Sequence, residues 1–94
     1  MTYKLAFKAD AEKEWRNLDS SIRNQFKKKL IERLEEPRIE SARLNNMKDC
    51  YKIKLRSAGY RLVYQVRDKE IVVSVVAVGK QGRNQVYNIA VKRV

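Results

Sequence analysis

The sequence contains no histidine and a single cysteine, Cys50. Without histidine or a second cysteine a zinc site is not expected, because zinc in proteins is held mainly by imidazoles and thiolates. Nucleophile pairs of the Ser–His and Cys–His kinds are excluded as well. A lone cysteine forms no internal disulfide, which is typical of a cytosolic protein. Any chemistry on nucleic acid must therefore depend on lysine, arginine and tyrosine.

Acidic residues are also scarce, with 11 Asp and Glu against 22 Lys and Arg, for a formal net charge of +11. In a chain that is 44% hydrophobic, this excess indicates a folded domain with a polyanionic partner: nucleic acid first, then an acidic protein. The few acids are scattered mainly through the predicted helices, whereas a metal-dependent nuclease needs them clustered. Neither a metal nor a cofactor is expected.

Long hydrophobic runs are missing too. None approaches the roughly 20 residues of a membrane-spanning helix, and the first residues lack the apolar core of a signal peptide. We therefore expect no membrane partner, a cytoplasmic location, and one small domain over residues 1–94.

Glycine and proline are rare, at 3 and 1 residues, and they mark the main boundaries. Gly59 ends the turn Ser57-Ala58-Gly59, which separates two runs of alternating residues in CYKIKLRSAGYRLVYQV, from Cys50 to Val66. Such alternation predicts a hairpin of half-buried strands. One face then carries the cations Lys52, Lys54 and Arg61. Three cations on a rigid sheet would bind a phosphate well.

The remaining segments predict the other elements. Strands are predicted over Thr2–Lys8 and Ile71–Val78, the second of them central and covered on both faces. One helix carries Ala11, Trp15 and Leu18, with Trp15 as a core anchor, and a break at Asn17–Ser21 precedes a second helix. That helix carries the apolar stripe Ile22, Phe26, Leu30 and Leu34, widened by Ile31, and ends before Pro37. Its opposite face carries Arg23, Lys27, Lys28 and Arg33, which either are solvated or contact phosphate.

A loop from Arg38 to Asp49 is held to the core by Leu44 and Met47, and a short C-terminal helix carries Tyr87. The resulting order is β-α-α-β-β-β-α. We expect a small α+β domain with a mainly antiparallel sheet and the two N-terminal helices on one face.

Several segments resemble the RelE toxins of the RelE/ParE superfamily. The segments are DCYKIKLRSAGYRLVYQV (Asp49–Val66), VAVGK (Val76–Lys80), the pair Val86-Tyr87, EWRNLDSSIRNQFKKKL and EEPRIESARL. The resemblance extends over essentially the whole chain. It implies a bacterial or archaeal toxin that cuts mRNA in the ribosomal A site by attack of a 2′-hydroxyl on the adjacent phosphate. It also implies an acidic RelB-type antitoxin, with operator DNA bound only through that antitoxin.

The resemblance places the catalytic residues at Lys52, Lys54, Arg61 and Tyr87. It fails where RelE toxins usually carry an arginine after the Gly-Lys pair, since this chain has Gln81. Either Arg83 substitutes for that arginine, or the chain is a catalytically weakened variant. The expected contacts to RNA or rRNA are Arg56, Lys80, Gln81, Lys27 and Lys28.

Side-chain chemistry leaves the individual roles open. Either Lys52 or Lys54 could be the base, because neighbouring cations lower the pKa of an ammonium group. Arg61 could clamp two phosphate oxygens, and Tyr87 could orient the 2′-oxygen, act as a base or stack on a base of the codon. The alternatives are plain phosphate contact for the lysines, an ion pair for Arg61 and core packing for Tyr87. For the whole chain, the alternatives are a non-catalytic ribosome blocker, a ParE-like gyrase poison and a plain nucleic-acid-binding domain.

Overall fold

The computed structural model describes residues 2–80 and 85–94. The elements, in chain order, are β1 (Lys4–Phe7), α1 (Ala9–Arg16), α2 (Ser20–Glu35), a 3₁₀ turn (Glu40–Ala42), β2 (Cys50–Leu55), β3 (Tyr60–Arg67), β4 (Val72–Lys80) and α3 (Gln85–Arg93). This is the predicted order of an α+β domain. The break between the first two helices and the end of α2 just before Pro37 are also where the sequence places them.

The four strands form one sheet in the order β1-β4-β3-β2. Only β1 and β4 are parallel, and the other two pairs are antiparallel, so the mainly antiparallel prediction is confirmed. β4 is central, and all its residues from Val73 to Val78 are buried. It continues through Gly79 to Lys80, two residues beyond the predicted end, because Arg61 and Tyr60 of β3 pair with them.

The larger core lies between the sheet and the two N-terminal helices. Phe26 and Leu30 of α2 are fully buried there against Ile53, Leu62 and Tyr64 of the hairpin. The Trp15 ring packs at the margin of this core, with its centroid 5.2 Å from that of Phe7 and 6.3 Å from that of Phe26. These contacts hold α1 and α2 against one face, as predicted.

Two predictions for α2 are wrong. Ile31 does not widen the apolar stripe and is 64% exposed, because it lies about 100° around the helix from Leu30. Arg33 is not on a solvated face: its guanidinium lies 5.8 Å from the Tyr64 ring centroid and donates a 2.8 Å hydrogen bond to Tyr64 Oη. Tyr64 Oη in turn donates to the Pro37 carbonyl at 2.7 Å. This network joins the end of α2 to the hairpin.

The smaller core lies on the opposite face of the sheet, under α3. Val86 and Ala90 of α3 are buried with Val63, Val76 and Ala77. The β3–β4 register shifts between Val63 and Tyr64, so that Val76 is an extra residue in β4. Because of this bulge, Val76 and Ala77 both join the core under α3.

The loop before β2 is held by the smaller core as well. Leu44 and Met47 are buried in it, as predicted, together with Cys50. Burial raises the pKa of the Cys50 thiol to about 11. The thiol therefore stays protonated near neutral pH and is chemically quiet.

Candidate active site

The three hairpin cations lie on the face of the sheet that α3 covers. Lys54 is directly opposite Arg61 in the β2–β3 register, and Lys52 is opposite Val63. Val63 belongs to the core under α3, and directly opposed residues in a sheet point to the same side. Lys52, Lys54 and Arg61 therefore share one face with that helix, as the alternation of the sequence predicts. We call these three residues the cationic cluster.

The Tyr87 side chain of α3 lies against this cluster. The Arg61 guanidinium carbon lies 5.0 Å from the centroid of the Tyr87 ring, which is within the range of a cation–π contact. Tyr87 Oη is buried, and it forms no hydrogen bond to any residue among 2–80 and 85–94. A phenolic oxygen beside an arginine fork can bind the oxygens of a phosphate or a ribose.

A glycine lets α3 approach the sheet at this point. Gly79 is opposite Arg61 in the β3–β4 register. A Cβ atom at Gly79 would lie 3.4 Å from Cγ2 of Val86, the residue before Tyr87. A Cβ atom there would already touch Val86 at ordinary contact distance, so atoms beyond Cβ on that side would press on the start of α3.

The charges of the cluster alter the protonation of Lys54. Its pKa is lowered, first by the positive charge of Lys52, then by desolvation, and then by Arg61 and Arg56. A lowered pKa means that more of the neutral amine is present near neutral pH than for an ordinary lysine. Of the two lysines that the sequence left open, Lys54 is therefore the better placed to accept a proton.

The predicted RNA contacts fall into three groups. Arg56 and Lys80 are exposed at the end of the sheet that carries Lys54 and Arg61, since Arg56 follows β2 and Lys80 pairs with Tyr60. Lys27 and Lys28 are exposed on α2, across the sheet from α3, so the structure does not bring them to the cluster. Gln81 and Arg83 lie outside the described residues.

A different kind of surface is found at the other end of the hairpin. A groove of about 430 Å³ is lined there by Arg38, Asp49, Asp68 and neighbouring residues. Arg38 donates to Asp49 at 3.1 Å and to Asp68 at 2.7 Å. The hydrogen bond from Arg38 is the largest cause that holds the pKa of Asp68 below its usual value. Two of the three cations of this groove, Arg38 and Arg67, are paired with acids, so the groove is a poorer site for a polyanion than the cationic cluster.

The described part of the chain holds no group of three or more His, Cys, Asp or Glu side chains arranged to bind a metal ion. Nor does it include a helix that is both long and apolar enough to cross a membrane.

Sequence reasoning missed one feature at the other end of α3 from Tyr87. Arg93, the last residue of α3, forms two hydrogen bonds to the Glu14 carboxylate, at 2.9 and 3.0 Å. The available signal was the helical spacing of Val86, Ala90 and Arg93, which places the arginine in line with the buried residues of α3. The glutamate, 79 positions away, has no local signature.

A family model matches residues 5–85, and its description is the ParE toxin of type II toxin–antitoxin systems, parDE. The chain is 61% identical to the mRNA interferase toxin RelE of Escherichia coli K12, over 100% of this chain and 99% of that protein. The mRNA interferase RelE of Shigella flexneri matches equally well, at 61% identity over the same shares of both chains.

Solved structures show the same relationship. The free state of an E. coli RelE variant with two arginines replaced by alanine superposes with a TM-score of 0.92, at 60% identity over 100% of this chain and 99% of that one. The toxin in the intact E. coli RelBE toxin–antitoxin complex gives 0.83, at 62% identity over 86% and 99%. The family model is described by its ParE members, and the full-length relatives at 61% identity are RelE toxins. The chain therefore belongs to the RelE-type toxins of the RelE/ParE toxin–antitoxin superfamily.

Proposed function

We propose that this chain is the toxin of a type II toxin–antitoxin system and that it inhibits translation as an mRNA interferase. It cuts the codon in the ribosomal A site by attack of a 2′-oxygen on the adjacent phosphate, which leaves a 2′,3′-cyclic phosphate and a 5′-hydroxyl. End-to-end relatives that are named mRNA interferases support this proposal. The observation that carries it is the contact of Arg61 with Tyr87, 5.0 Å from guanidinium carbon to ring centroid, beside Lys54.

Cleavage begins when the 2′-hydroxyl loses its proton. We assign the base to Lys54, whose pKa is lowered mainly by the charge of Lys52. The positive charge of Lys52 favours the neutral amine on Lys54 and also attracts the phosphate. General bases of this kind contribute about 10²–10⁴-fold to a rate.

The attacked phosphorus then carries additional negative charge. Arg61 is permanently charged, and its planar fork matches two phosphate oxygens. The stacked Tyr87 ring limits the motion of that fork, so the donors are aimed before the substrate arrives. Tyr87 Oη is buried and has no hydrogen-bond partner among the described residues, so it would bond a reacting oxygen that the bound RNA brings to it. The departing 5′-oxygen needs a proton, for which Tyr87 and protonated Lys52 are the candidates.

The ribosome is an expected part of this mechanism. The cationic cluster and Tyr87 together supply charges and one phenol but no imidazole, so their proton transfers are poorly tuned to neutral pH. In-line geometry of the 2′-oxygen and the leaving 5′-oxygen must then supply much of the acceleration, and a flexible RNA rarely adopts it. A ribosome that holds the codon in place would provide this alignment. We expect slow or undetectable cutting of free RNA.

The partners follow from charge and from the relatives. E. coli RelE forms a complex with its antitoxin in the RelBE structure. For this chain, at +11, we propose an acidic RelB-type antitoxin that orders on the basic surface. Operator DNA would be bound only through the antitoxin. The chain would act in the cytoplasm of a bacterium or archaeon, as one RelE-like domain over residues 1–94.

One sequence feature favours a second candidate function. Gln81 replaces the arginine that RelE toxins usually carry after the Gly-Lys pair, and an amide supplies neither full charge nor a proton. If Arg83 does not take its place, the chain would block the A site with little cutting. Poisoning of gyrase, as in the ParE branch, is the third candidate, and a supercoiling assay with this chain tests it.

The test is a cleavage assay on ribosomes programmed with a defined mRNA. New 5′ ends within the A-site codon are expected from the unaltered chain and at least about 100-fold more slowly from Lys54→Ala and Tyr87→Phe. Lys69→Ala is the matched control, because Lys69 lies in the turn between β3 and β4, at the end of the sheet away from Lys54 and Arg61. Intact mRNA on stalled ribosomes would favour the blocking function instead.

A further inference from the structure

The tip of α3 that carries Tyr87 is attached to the sheet by few apolar contacts. Val86 and Ala90 are its buried residues and Tyr87 packs partly buried against the same core, whereas Ile89 and Val91 are 38% and 42% exposed. Two small side chains bury little area, so by themselves they set the rotation and height of the helix only weakly. The place of Tyr87 over Arg61 therefore depends on what else holds α3.

The other attachment is Arg93, at the end of the same helix. Its two terminal nitrogens bind both oxygens of the Glu14 carboxylate, at 2.9 and 3.0 Å, and Nη1 also donates to the Val76 carbonyl at 2.9 Å. Glu14 Oε1 additionally accepts the Val78 backbone N–H at 3.2 Å. Both side chains are largely covered, at 19% and 29% exposed. A bidentate ion pair of this kind fixes the relative orientation of the two side chains as well as the distance between them.

The pair also completes the edge of the sheet. β1 pairs with β4 only from Val72 to Val75. Beyond that point, the Val76 carbonyl and the Val78 N–H of β4 are bound by Arg93 and Glu14. The pair thus replaces the missing part of a strand, and it ties α1, β4 and α3 together at one point.

We propose that Glu14 and Arg93 form a positioning pair that holds α3 in the orientation that places the Tyr87 ring over Arg61. Arg93 follows Tyr87 by about 9 Å along the helix axis, at about 1.5 Å per residue, and Val86, Ala90 and Arg93 lie on the same helical face. Val86 packs against Gly79 at the start of α3, and Arg93 is bound to Glu14 at its end, so the helix is held at two points. Tyr87 projects from the flank between them.

The kinetic consequence rests on the proposed function. Misplacement of a reacting group by about 1 Å costs up to about 100-fold in rate. Glu14→Gln should therefore lower the single-turnover cleavage rate on programmed ribosomes by about 10- to 100-fold, with little change in the toxin concentration that half-saturates them. In a Tyr87→Ala background the same substitution should change the rate by less than about twofold, since there is no longer a ring or a hydroxyl to misplace. Glu70→Gln, which breaks the exposed Arg67–Glu70 pair, is the control and should leave the rate unchanged.

Equal losses from Glu14→Gln in both backgrounds would overturn the proposal, because they would show an effect that does not pass through Tyr87. Arg93→Lys should cut faster than Arg93→Ala but more slowly than the unaltered chain. An ammonium group does not bind both carboxylate oxygens and the Val76 carbonyl in the same plane.

A second measurement does not need activity, so it separates this proposal from the proposed function. Nuclear Overhauser contacts between the Tyr87 ring protons and the Arg61 Hδ protons should be present in the unaltered chain. They should weaken severalfold in Glu14→Gln and Arg93→Ala while the amide signals of β2 and β3 stay in place. Unchanged contacts in the folded variants would refute the positioning pair even if the chain cuts mRNA well. If the unaltered chain cuts no mRNA but the two variants lose these contacts, the positioning pair is supported and the proposed nuclease activity is refuted.

Discussion

Replacing Tyr64 by phenylalanine tests how the strands of the candidate site are supported. The Tyr64 hydroxyl is completely buried, accepts from Arg33 at 2.8 Å and donates to the Pro37 carbonyl at 2.7 Å. A hydrogen bond from a charged donor contributes about 1.5–3 kcal/mol and a neutral one about 1 kcal/mol. Arg33 retains a 3.3 Å bond to the Lys52 carbonyl, which offsets part of the loss. We expect the free energy of unfolding to fall by about 2–3 kcal/mol.

Urea unfolding followed by circular dichroism measures this loss. The midpoint should fall by about 1–3 M with an unchanged slope, because the substitution alters stability and not the surface exposed on unfolding. Tyr60→Phe is the matched control, since it removes a phenolic oxygen from a half-buried ring at the start of the same strand. It should lower the free energy of unfolding by less than about 1 kcal/mol. Equal losses from Tyr64→Phe and Tyr60→Phe would show that the Arg33 network does not stabilise the hairpin.

Three further predictions concern the site. Lys52→Gln removes the largest cause of the lowered pKa of Lys54, so the pKa of Lys54 should rise. The ascending limb of the pH–rate profile should then move to higher pH. A move to lower pH would contradict Lys54 as the base. Tyr87→Phe should slow cleavage yet raise the unfolding free energy by about 1 kcal/mol, because it deletes a buried hydroxyl that has no partner among the described residues; a loss of stability would show a partner for that hydroxyl. Gln81→Arg should speed cleavage on ribosomes by about tenfold or more, as a donor to the developing charge does, and an unchanged rate would argue against a need for charge at that position.

Much of the site was predictable because a strand places alternate residues on one side. Lys52 and Lys54 are separated by one residue, and the short Ser57-Ala58-Gly59 turn sets a register in which Arg61 faces Lys54. That the phenol of Tyr87 would reach the same face did not follow from periodicity. The resemblance to RelE toxins indicated it, and the Arg61–Tyr87 contact shows where the ring lies.

Features that depend on distant partners were not predictable. Arg33 looked like one of several cations on the polar face of α2, and only the folded hairpin brings the Tyr64 hydroxyl to it. The pair of Glu14 and Arg93 joins residues 79 positions apart, so no local pattern reveals it. The same holds for Val76, since a bulge depends on how β3 and β4 pair and the run IVVSVVAV is apolar at nearly every position.

The most direct test of the proposed chemistry is a single 2′-deoxynucleotide in the A-site codon of a ribosome-bound mRNA. In the proposed mechanism Lys54, Arg61 and Tyr87 act on a 2′-oxygen. Removal of that oxygen at the cleaved position should therefore abolish cutting there. A deoxynucleotide elsewhere in the mRNA should have no effect. The unmodified message should yield a 5′-hydroxyl product and a 2′,3′-cyclic phosphate. Cutting that continues at the deoxy position would contradict the mechanism.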